Sequence, residues 1–110
     1  MCMKTDETLW AEFQAGDETA FAEIDERFRG PLGRYCSARL QSDVDGEDVV
    51  QRTFLEMIQD KDKLAPGKFV QPWLYTIADR LVREKQAAGR QAAKVLASPE
   101  MEVLAEAFER

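Results

Sequence analysis

The chain is 110 residues long, about one domain's worth, and Ala, Leu, Glu, Lys, Arg, Gln and Met supply more than half of it, which favours an all-α protein and argues against a β-sandwich or barrel. It has no histidine, and its two cysteines, Cys2 and Cys36, stand at no metal-ligand spacing, so histidine-based acid–base chemistry, histidine-ligated metals and a disulfide framework drop out. A reduced, cytoplasmic chain without a cofactor is expected. The net charge of −6 hides an asymmetry: residues 1–60 carry 6 basic and 14 acidic side chains, residues 61–97 carry 8 and 3, and residues 98–110 carry 1 and 4. A domain that meets nucleic acid with one segment and a basic protein with another has this pattern, although a solvated acidic helical surface accounts for the first sixty residues equally well.

In chain order, Thr5 predicts the cap of a short helix ending near Ala15, with Leu9, Trp10 and Phe13 on one face and Gly16 as its stop. Asp17 opens a second helix. Its apolar positions Phe21, Ile24, Phe28, Leu32, Tyr35, Cys36 and Leu40 keep helical spacing through Gly30 and Pro31, which predicts one long kinked helix and not two. Residues 41–46 read as a polar turn. Residues 47–60 form a third helix whose apolar set Val49, Val50, Phe54, Leu55, Met57 and Ile58 is wider than one stripe, so a second apolar contact besides the core is expected.

The segment 61–71, with Lys61, Lys63, Lys68, Pro66 and Gly67, reads as a loop, the kind of place where binding residues sit on a rigid scaffold. Pro72 suits the first turn of a fourth helix that buries Trp73, Leu74, Ile77, Ala78, Leu81 and Val82 up to about Gly89. Thr76, Asp79, Arg80 and Arg83 recur on its remaining face. Ser98, Pro99 and Glu100 then open a last helix that runs out at Arg110 without a stop signal, as in a truncated chain. No apolar run approaches the roughly 18 residues of a membrane span, and the first residues lead into acidic sequence and not a signal peptide, so no membrane insertion is expected.

Two strings carry a resemblance. GEDVVQRTFLE at 46–56, followed after the lysine-bearing loop by FVQPWLYTIA at 69–78, resembles region 2 of bacterial sigma factors, most closely the small extracytoplasmic-function class. Leu9 and Trp10, the string FQAGD at 13–17, and Ala20 with Phe21 are similar to the start of that class, so the resemblance spans about residues 5–90. Either string alone passes for an ordinary amphipathic helix; the specificity lies in both, in order, at this separation. The resemblance implies a compact bundle of about four helices, with residues 91–110 as linker and terminal helix. Residues 98–110 look like the linker to the family's domain that reads promoter DNA upstream, and that domain is absent from this sequence.

The resemblance also implies partners and roles. The third helix would dock on the clamp coiled coil of RNA polymerase core through Asp48 and Gln51. A carboxylate and an amide one turn apart offer acceptors to arginines, and Leu55 adds an apolar anchor a turn further on. Taken alone, Asp48 is equally a first-turn acid that favours its own helix. The loop and fourth helix would capture the non-template strand of the minus-ten promoter element. Lys61, Lys63 and Lys68 suit phosphates, Phe69, Trp73 and Tyr75 offer faces to unstacked bases, and Thr76, Asp79, Arg80 and Arg83 suit duplex or fork contacts. Phe69 and Trp73 serve as plain core residues just as well.

Two positions depart from the family pattern. Arg52 stands where an acid is common, and Asp79 stands where a non-acidic residue is common; an Asp79–Arg83 pair would compensate the second. The reading is a transcription-initiation factor domain, not an enzyme, with an anti-sigma factor as a further partner. The alternative is a sigma mimic that sequesters an anti-sigma factor without binding DNA, favoured by the overall acidity, by Asp79 and by the absent second domain.

Overall fold

Helix starts in this chain follow its supply of oxygen acceptors. The computed structural model describes residues 3–64 and 68–96, and within them the elements are α1 (Asp6–Gln14), α2 (Glu18–Leu40), α3 (Asp43–Gln59), a short 3-10 turn at Lys61–Lys63, and α4 (Val70–Leu96). Thr5, Asp17 and Ser42 cap α1, α2 and α3 by accepting from the amides of Thr8, Thr19 and Asp45. The first amide of α4 is met from a distance: Val70 N–H donates to Glu7 Oε2 on α1 at 3.1 Å. Gly16, at φ 108°, lets the chain leave α1 in the left-handed region that glycine tolerates.

The all-α class and the single long second helix agree with the sequence reading. Pro31 lies inside α2 at an exposed position, where water can satisfy the carbonyl that loses its donor. Two boundaries are corrected. Residues 43–46 are helical and not a turn, because Ser42 caps α3 and Asp43 and Asp45 place acids in its first turn. The fourth helix starts at Val70 and continues past Gly89 to Leu96, since the Ala- and Gln-rich stretch holds no strong breaker. The helix expected from Ser98 lies outside the described residues.

The most extensive packing is between α2 and α3, with α4 laid against both and α1 closing one end. Leu9, Trp10 and Phe13 of α1 meet Ile24, Phe28 and Leu32 of α2, Val49, Phe54 and Met57 of α3, and Leu74, Ala78 and Leu81 of α4 in one buried cluster. Gly46 is the point of closest approach. A Cβ there would stand 2.8 Å from the Ser37 backbone nitrogen and 2.2 Å from its Oγ, so only glycine lets α3 sit this close to α2. Trp10 is the hub of an aromatic group, edge-on to Phe13 at 5.1 Å and to Trp73 at 5.3 Å. Truncating it to Ala should cost about 3–5 kcal/mol. Arg27 of α2 pairs with Asp6 of α1 at 2.9 Å, which fastens the end helix to the bundle.

Candidate functional site

The expected docking residues share the outer side of α3. Gln51, Arg52 and Leu55 are exposed, Leu55 by 55%, and Val44, 77% exposed, extends the apolar stripe by three turns toward the helix start. Val44 went unread in the sequence because residues 41–46 looked like a turn. Beside the stripe, Arg34, Ser37, Glu47 and Gln51 line a groove between α2 and α3.

Asp48 is half-buried and already engaged: its carboxylate meets Arg52 Nε at 3.0 Å and Lys85 Nζ of α4 at 3.0 Å. The bond from Lys85 is the chief reason its carboxyl is held below the usual range. The unexpected Arg52 therefore answers an acid within its own helix, at i, i+4. Lys85 was not singled out from the sequence, and no local signal could have paired it with α3.

The second set divides. Lys61 is half-buried, its carbonyl accepting from Trp10 Nε1 at 3.0 Å and Gln14 Nε2 at 2.7 Å, and its ammonium lies 5.2 Å from the Phe13 ring centroid. Lys63 is exposed, 3.2 Å from Asp60. Lys68 and Phe69 are exposed, Phe69 by 66%, so Phe69 is not a core residue. Trp73 is half-buried on Trp10. On the outer side of α4, Trp73, Thr76, Ile77, Arg80, Arg83 and Ala87 line one shallow groove. Arg80 is also tied to Glu56 of α3 and, at 3.0 Å, to Glu84, which raises its pKa, with Glu56 the larger cause.

Asp79 and Tyr75 turn the other way. The Asp79 carboxylate accepts from the Tyr35 hydroxyl of α2, and Tyr75 packs edge-on to Tyr35 at 5.2 Å. The expected Asp79–Arg83 ion pair is replaced by a weaker contact, Arg83 Nε donating to the Asp79 main-chain carbonyl at 3.4 Å. The shared face proposed for Thr76, Asp79, Arg80 and Arg83 is thus corrected to Thr76, Arg80 and Arg83. The cause is rotational: Asp79 sits at the edge of that face, toward α2, within reach of the Tyr35 hydroxyl.

Among the described residues, no group of acids and cysteines is arranged to hold a metal ion, and no helix is long and apolar enough to cross a membrane. What the described residues offer is an apolar and amide stripe on α3, exposed Lys63, Lys68 and Phe69 ahead of α4, and Thr76, Arg80 and Arg83 along the groove on α4.

Comparison with known proteins gives the family of the chain. The family described as sigma-70 region 2 matches residues 24–91, well over half of the chain, which belongs to that family. The RNA polymerase sigma factor CarQ of Myxococcus xanthus is similar, with 29% identity over 72 residues, 66% of this chain and 41% of that protein. The chain thus spans less than half the length of the curated relative it matches. No solved structure matches it. The family match begins inside α2, so α1 lies outside it.

Proposed function

We propose that the chain acts in the cytoplasm as region 2 of an extracytoplasmic-function sigma factor. The outer side of α3, through Gln51 and Leu55, docks on the clamp coiled coil of RNA polymerase core. Residues 61–69 and the outer side of α4 capture the non-template strand of the minus-ten element. The chain contributes binding energy and no bond chemistry. Flipped bases exchange duplex stacking, at a cost of a few kcal/mol, for contacts with the protein, and the open state is populated to the extent that the protein prefers it.

The observation that carries this reading is Phe69. A phenyl ring exposed by 66% beside Lys68, immediately before a helix that presents Thr76, Arg80 and Arg83, is unexplained by packing and suits stacking on an unpaired base. Of the features that favour the sigma-mimic reading, Asp79 is turned toward α2, where its carboxylate accepts from the Tyr35 hydroxyl. Retention of core polymerase by immobilised chain tests the docking half: Gln51→Ala or Leu55→Ala should weaken it by about 1–3 kcal/mol at unchanged helical content. Equal retention by both variants and the parent would remove α3 from the interface.

A further inference from the structure

Both ends of the lysine-bearing segment are held by one face of α1. Glu7, Trp10 and Gln14 recur at spacings of three and four, which aligns their side chains along the helix. At the entry, Trp10 Nε1 and Gln14 Nε2 both donate to the Lys61 carbonyl, at 3.0 and 2.7 Å, and Gln14 Nε2 also reaches the Leu64 carbonyl at 3.3 Å. At the exit, Glu7 Oε2 accepts from the Val70 amide at 3.1 Å. Each bond joins main chain of the later segment to a side chain of α1 between 47 and 63 positions earlier. The helix is itself anchored independently, by buried Leu9 and by the Asp6–Arg27 pair at 2.9 Å. It is therefore a fixed post, to which Lys61 and Leu64 on one side and Val70 on the other are tied.

From this geometry we propose that α1 is a positioning element for the single-strand site: Glu7, Trp10 and Gln14 hold the flanks of the segment so that Lys63, Lys68 and Phe69 are presented in place. The inference rests on reading that segment as a DNA surface. Flanking residues held before binding lose less conformational entropy when the strand arrives. Releasing them should therefore lower affinity without changing how many phosphates are neutralised, which is what the salt slope counts.

The test is a titration of the 110-residue chain with fluorescent single-stranded DNA at low temperature, where every variant is folded by circular dichroism. Gln14→Glu keeps the size but loses the donor and turns a carboxylate toward two carbonyl oxygens; it should weaken binding about fivefold to tenfold at an unchanged salt slope. Glu7→Ala should weaken binding about threefold, and Glu7→Gln, which keeps an acceptor for the Val70 amide, should restore most of that loss. In a Lys63→Ala/Lys68→Ala/Phe69→Ala background there is nothing left to position, so Gln14→Glu should have no further effect. Retention of core polymerase should not move.

Parent-like affinity for Gln14→Glu, or its full effect in the stripped background, would overturn the inference alone. A parent that binds no single strand would overturn the proposed function and this inference with it.

Discussion

The Tyr35 hydroxyl donates to the Asp79 carboxylate, joining the middle of α2 to the middle of α4. Removing the donor by Tyr35→Phe should cost about 1–2 kcal/mol in urea unfolding, since a half-buried carboxylate loses a charge-assisted bond. The freed acid should also weaken single-strand binding, and Asp79→Asn in the same background should restore it. The bond to Asp79 raises the Tyr35 phenol above its ordinary 10.0. The stability it supplies is thus complete below pH 10 and is lost as the pH rises through the raised value, where parent and Tyr35→Phe should converge. A parent and variant of equal stability at neutral pH would show that this bond contributes nothing.

The three lysines should not be equivalent. Lys61 is held over Phe13 with its carbonyl bonded to α1, whereas Lys63 and Lys68 are exposed. Replacing Lys63 and Lys68 together with Ala should reduce the salt slope of single-strand binding by roughly 1.4, at about 0.7 per phosphate contact, and Lys61→Ala should change it little. A larger slope change from Lys61→Ala than from the pair would reverse the assignment.

Two glycines on neighbouring helices should respond with opposite signs. Gly46→Ala drives a methyl into the Ser37 backbone and should destabilise by about 1–3 kcal/mol, with a loss of polymerase retention as α3 shifts on α2. Gly33 has nothing within 4 Å of the added Cβ, so Gly33→Ala inside α2 should stabilise by about 0.5–1 kcal/mol. Thermal melts of the two variants check both signs at once.

Cys36 is fully buried, and burial, aided by the Asp79 charge, pushes its thiol from the ordinary 9.0 up to about 11. In a Cys2→Ser background, alkylation at pH 8.5 should be blocked in the native chain and fast after urea unfolding. The raised value also means that the contribution of this group is complete below pH 9.0 and disappears as the pH passes through about 11. Rapid alkylation of native chain would contradict the buried placement.

The helices were legible because their signals are local: Thr5 and Asp17 cap where they should, and Leu9, Trp10 and Phe13 or Ile24, Phe28 and Leu32 recur at the helical period. The start of α3 was missed because an acidic run ending in Gly46 reads as a turn unless Ser37 is known to press on that glycine. Which surface each side chain faces was legible only in part. Glu56 with Arg80, Lys85 with Asp48 and Tyr35 with Asp79 are 24 to 44 positions apart, and such pairs depend on how the helices rotate in packing. A single helix face does not encode that rotation. The choice between core and surface for Phe69 was undecidable for the same reason.

Selection from a randomised single-stranded DNA library by the chain bound to core polymerase tests the central claim most directly. The account predicts enrichment of one short motif over core polymerase alone, lost in Phe69→Ala at the cost of about 1–3 kcal/mol per stacked base and retained in Lys61→Ala. A chain that binds core polymerase yet enriches no motif, or one whose enrichment is untouched by Phe69→Ala, would contradict it.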